Sequence, residues 1–219
     1  MTDLRALFAD LARGRFPAPD GTTTVWPLAG EPEAGVLALT ARSFVFADTD
    51  EGWVRERLAR AGSDPLAASL HPSFLSALLE RTGRRMDTVD LLTVAPALPG
   101  PPPLELREST AHGHPRVARA LRRRTEVRVW ETAEGDVVLL GRGPGGRWET
   151  AIETAGTGGT VPRRGRALAL AARHLVPGAA VWAQQAPGNA RSVRAFQAAG
   201  YRAVGAEALL WRAPGGDGP

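Results

Sequence analysis

The chain has 219 residues, 43% of them hydrophobic, enough to bury a core in one large domain or two small ones. It contains no cysteine, which excludes disulfides, thiolate metal ligands and a cysteine nucleophile. All 27 basic residues are arginine, so a pI near 10.9 accompanies a formal charge of only +4 and does not by itself point to nucleic acid.

No apolar run approaches the roughly 20 residues that span a bilayer, and the opening MTDLRALFAD carries acids where a signal peptide needs a basic region and an apolar core. A soluble, cytoplasmic protein is expected. His112 and His114 form the one close histidine pair, and no further ligands stand near them in sequence, so no metal is expected.

In chain order, Leu4, Leu7, Phe8 and Leu11 recur at helical spacing and predict an amphipathic helix over Asp3 to Arg13. Strand-like runs follow at Thr22 to Leu28 and Val36 to Ala47. Helical periodicity then covers Trp53 to Ala61 and Phe74 to Glu80, and an apolar strand runs from Thr88 to Val94. The segment PALPGPPP, Pro96 to Pro103, can continue neither a helix nor a central strand, because proline lacks an amide hydrogen and fixes its own φ; it reads as a linker.

The expected division is an N-terminal α/β subdomain over 1–95, the linker over 96–103, a second domain over 104–213 and a flexible tail over 214–219. In the second domain the pattern predicts a strand Leu104 to Arg107, a helix Arg116 to Arg123, and strands Glu126 to Glu131, Asp136 to Gly141 and Trp148 to Thr154. A helix Arg166 to Leu175, a strand Ala179 to Ala183, a helix Ala190 to Ala199 and a strand Ala206 to Arg212 complete it. A meander followed by alternating helices and strands implies an α/β fold with a mixed sheet. The first half's α/β mixture is compatible with a partial copy of the same architecture.

Two blocks carry chemistry. In PGNARSVRAFQAAGY, Pro187 to Tyr201, Asn189 suits an N-cap, Val193 and Phe196 form an inner stripe, and Gly200 suits a left-handed C-cap. The block resembles the last motif of the GNAT superfamily of acyl-CoA-dependent N-acyltransferases. There an asparagine opens a helix, a small residue follows three positions on, and the helix stops at Gly-Phe or Gly-Tyr, here Asn189, Ser192, Gly200 and Tyr201. The second block, VPRRGRALALAARHL, Val161 to Leu175, resembles that superfamily's pyrophosphate-binding turn, in which backbone amides at a helix start meet the phosphates of CoA. Two registers fit: Arg164 to Ala169 with Ala167 in place of the central glycine, or Gly165 as the last glycine of the turn.

The resemblance covers about half the chain and implies a GNAT-like acyltransferase fold. The co-substrate it implies is acetyl-CoA or another acyl-CoA, and the acceptor a small-molecule or peptide amine. It places the pantetheine arm between Ala151 to Thr154 and Val181 to Gln184, touching Ile152 and Thr154. Arg163, Arg164, Gly165, Arg166 and Ala167 face the phosphates, with Asn189 and Ser192 completing the cofactor set.

An amine acceptor must lose a proton, and Glu153 and Glu149 are the candidate bases, four apart and therefore on one face of a strand; Glu153 lies nearer the pantetheine end. Ser192 is a further candidate, orienting a water. Where many members carry a tyrosine that protonates the departing thiolate, this chain has Phe196, and its one tyrosine is Tyr201. The alternative reading is a catalytically silent CoA-binding or protein-interaction module. Neither membrane nor nucleic acid is an expected partner, since Glu105, Glu108, Glu131 and Glu134 intersperse the arginines, and a homodimer is compatible with the sequence.

Overall fold

The computed structural model describes residues 3–213 apart from 29, 63, 111–112, 157–160 and 177, and describes 161 and 162 by their backbone alone. Among the described residues the elements are α1 (Leu4–Ala12), β1 (Thr23–Trp26), β2 (Ala34–Leu39), β3 (Arg42–Phe46), α2 (Glu51–Ala61), α3 (Pro72–Thr82), β4 (Val89–Ala95) and β5 (Arg107–Ser109). They continue with α4 (Pro115–Arg123), β6 (Thr125–Glu131), β7 (Val137–Arg142), β8 (Trp148–Glu153), α5 (Val161–Ala172), β9 (Val181–Gln185), α6 (Ala190–Ala198) and β10 (Arg202–Leu210). The protein is mixed α/β, with parallel and antiparallel strand pairs in a large sheet, and no described helix is long and apolar enough to cross a membrane.

The chain divides into two compact units, and each draws on both ends of the sequence: Met1–Arg13 with Leu92–Ala203, and Gly14–Leu91 with Val204–Pro219. The division falls inside β4 and β10 rather than at the proline-rich segment. That segment is no free linker. Leu98 N–H donates to the Arg173 carbonyl, Arg173 Nε donates to the Pro96 carbonyl, and His174 Nδ1 lies 3.1 Å from the Pro99 carbonyl. Prolines supply carbonyl acceptors without competing donors, so the segment is strapped across the end of α5. The expected tail, 214–219, lies outside the described residues.

In the smaller unit β1, β3, β2 and β10 lie side by side in that order, β1 parallel to β3 and the other pairs antiparallel. The run Val36 to Ala47, expected as one strand, is the β2/β3 hairpin. Its turn carries Ala41 at φ 48°, a left-handed conformation signalled by no glycine or asparagine. The Phe46 ring occupies the space above Gly35, its partner across the hairpin, where a Cβ would overlap it.

In the larger unit the order is β4, β9, β8, β7, β6 and β5. Alternation along β7 and β8 sorts the two faces. Val129, Val137, Leu139 and Ala151 pack with Val117 and Ala120 of α4, while Val138, Leu140 and Ile152 pack on the side of α5 and α6. α1 buries the predicted Leu4, Leu7, Phe8 and Leu11, and Asp3 caps it by accepting the Ala6 N–H.

Candidate functional site

β8 and β9 run parallel, and α5 and α6 each leave the carboxyl end of one of them, so both helices begin at one edge of the sheet. Ligands of open α/β sheets bind at such an edge. β8 keeps six paired positions with β7 but only two with β9, Trp148↔Val181 and Glu149↔Trp182. Beyond Glu149 the parallel ladder stops.

Asn189 sits where the sequence predicts, as the N-cap of α6. Its side-chain oxygen accepts the Ser192 N–H at 3.1 Å. The helix ends in a Schellman turn: Gly200, at φ 88°, donates to Gln197, and Tyr201 N–H donates to the Phe196 carbonyl. Asn189 is exposed and Ser192 half-exposed.

Phe196 is buried against Tyr201, ring centroids 4.9 Å apart, and the Tyr201 hydroxyl donates to the Ala169 carbonyl. Burial pushes the Tyr201 pKa well up despite the nearby Arg173. Neither ring offers an acid to a leaving group.

α5 begins at Val161, five residues before the predicted Arg166. This corrects both registers of the phosphate turn. Gly165, Arg166 and Ala167 lie in the helix body, where amides bond to carbonyls four residues back, and the amide hydrogens of the helix start belong to Val161 and Arg163, since Pro162 has none. Gly165 is buried and faces Ala195 of α6, at 3.7 Å from where its Cβ would stand, so it serves helix packing.

Arg164 is not a free phosphate ligand either. It pairs with Asp136 at 2.6 Å and donates to the Ala155 carbonyl, while Asp136 accepts the Ala155 N–H at 2.7 Å. The pair therefore clasps both backbone groups of Ala155, two residues past the end of β8. Arg163 and Arg166 are exposed, as are Arg191 and Arg194 on α6.

The two glutamates of β8 do share a face, with opposite surroundings. Glu149 is 1% exposed and ion-paired to Arg147 at 2.6 Å and Arg124 at 2.8 Å. Burial raises its pKa, but the two guanidinium groups outweigh that, and the net shift is downward. A carboxylate locked between two cations is a poor proton acceptor, so Glu149 is a buried counter-ion rather than a base.

Glu153 stands at the open end, its side chain 41% exposed, paired to Arg116 of α4 at 2.6 Å. Ile152 turns toward α5, and Thr154 follows the strand, half-buried. The structure thus brings Ile152, Glu153, Thr154, Asn189 and Ser192 to the carboxyl ends of β8 and β9 or the helix starts beyond them.

Sequence reasoning missed the cluster beneath. The Arg147 guanidinium lies 4.3 Å from the Phe8 ring centre, and the Phe8 and Trp182 rings meet edge-on at 5.0 Å. A Cβ on Gly143 would overlap the Glu149 carboxylate, so the bend before β8 needs glycine there. The one legible signal is Arg147 and Glu149 two apart, hence on one strand face.

No protein-family model matches the chain, and neither a curated protein nor a solved structure matches it. No group of three or more metal-ligating side chains occurs among the described residues, and His112 lies outside them.

Proposed function

We propose that the chain is a GNAT-like N-acyltransferase that moves an acetyl or other acyl group from acyl-CoA to an amine. The observation that supports it most is the parting of the parallel strands β8 and β9 after two pairs, with α5 and α6 both starting at the parted ends. Strands that stop pairing leave backbone donors and acceptors for a ligand, and an extended amide-bearing arm such as pantetheine meets them as a strand does. The motif around Asn189 and Gly200 points to the same family.

In this reading the phosphates rest on the first amides of α5, beside Arg163 and Arg166. Glu153 takes the proton from the ammonium form of the acceptor, directly or through one water. The amine nitrogen then attacks the thioester carbon, the carbon–sulfur bond breaks, and the proton shed by the acylated nitrogen passes through water to the departing thiolate. Positioning of amine against thioester supplies the bulk of the acceleration, worth as much as about 7 to 11 kcal/mol in well-oriented systems.

Thiol release from acetyl-CoA across a panel of amines and peptide N-termini tests this. Wild-type protein turns over at least one acceptor class, and Glu153→Gln lowers kcat/KM by about a hundredfold with folding intact. A wild-type protein that releases no thiol contradicts it. Binding of acetyl-CoA without turnover is the second reading, favoured by the burial of Phe196 and the engagement of the Tyr201 hydroxyl.

A further inference from the structure

Where the ladder between β8 and β9 stops, one side chain spans the gap. Arg124 leaves the end of α4, and its stem crosses Gly141 of β7, where a Cβ would stand 2.9 Å from the Arg124 Cβ. Gly141 is the cross-strand partner of Glu149 on β8, and the Arg124 Nε meets the Glu149 carboxylate at 2.8 Å. Its Nη2 then donates to Gln184 Oε1 on β9 at 3.2 Å. The arm thus lies across three strands.

The backbone is shaped for this. The β6/β7 register shifts between Thr125 and Arg128, and Glu126 within that bulge has φ 50°. A left-handed, non-glycine residue beside a bulge is strained and persists where the surroundings fix it. The bulge starts one residue after Arg124. A planar guanidinium holds two acceptors at fixed separation, as a lysine cannot.

We infer that Arg124 is a positioning residue, a strut whose fork on Glu149 and Gln184 sets the width of the opening between β8 and β9. The role deepens the acyl-CoA reading and rests on it for its use in catalysis, but the strut itself is a property of the free protein. Without the fork, the parted ends close and the ladder extends beyond Glu149.

Two variants test it, chosen to keep Glu149 and its pair with Arg147. Gln184→Leu removes the β9 anchor together with the Gln184 hydrogen bond to Glu149, and Arg124→Lys leaves a cation beside Glu149 without the fork. Hydrogen exchange followed by NMR on the free proteins reads the backbone amides of 150–153 and 183–185. In both variants the amides facing the gap exchange about tenfold more slowly than in wild type. Acetyl-CoA titration of the same proteins shows affinity reduced about tenfold, the worth of one charge-assisted hydrogen bond, with the melting temperature of Gln184→Leu close to wild type.

Unchanged or faster exchange at those amides in both variants overturns the strut. Absence of acetyl-CoA binding by wild type overturns the acyl-CoA reading and leaves the exchange result to decide the strut alone.

Discussion

The two ends of β8 carry the same residue type on the same face and differ in nearly everything else. At the first end Glu149 is paired on both sides of the strand, buried, and held by Arg147 and Arg124. At the other end Glu153 pairs by backbone with Val137 alone, stands half in solvent, and meets one exposed arginine. Chemistry available to a carboxylate is therefore set by what packs above the strand, not by the strand. Glu149 fixes structure, and Glu153 stands open to solvent.

The sharpest way to break this contrast is Glu149→Ala. Removing one member of a buried ion cluster strands the cations, and unfolding in urea shows a loss of about 3–5 kcal/mol. A loss below about 1 kcal/mol would mean that the cluster is solvated and the contrast false. The pH dependence sharpens the point. Because the folded pKa of Glu149 is depressed, its stabilisation is fully present above the ordinary carboxylate value of 4.5 and disappears as pH falls through the lower folded value. Glu149→Gln flattens that acid limb of the stability profile.

Next in size is Gly143→Ala, which forces a methyl group against the Glu149 carboxylate and costs about 1–3 kcal/mol by the same assay. Asn189→Ala removes the side-chain oxygen that accepts the Ser192 N–H and costs about 1 kcal/mol. Smallest is Glu153→Ala, whose exposed pair with Arg116 leaves stability within about 0.5 kcal/mol of wild type. A large stability loss there would erase the difference between the two ends.

Much of the architecture is legible in the sequence, because periodicity reports which side of an element is buried. The α1 stripe, the Asn189 cap and the Gly200 turn all follow from local pattern. The β2/β3 turn is not, since Ala41 takes a glycine's conformation. The start of α5 is missed because the residues before Arg166 read as a phosphate-binding turn, although proline suits a first helical turn. The fate of Arg164 and Glu149 was hidden for another reason: their partners Asp136 and Arg124 lie 28 and 25 positions away, and only the folded sheet brings them together. Non-local ion pairs leave no spacing to read.

The proposed acyl-CoA site lies at the carboxyl ends of β8 and β9 and the helix starts beyond them. Calorimetric titration of acetyl-CoA into wild-type protein and into Arg163→Glu/Arg191→Glu, two exposed changes on the first turns of α5 and α6, tests it most directly. Micromolar binding by wild type, weakened at least about tenfold by the paired charge reversal, is the predicted result. Folded wild-type protein that shows no binding, or equal affinity in the two proteins, would contradict it.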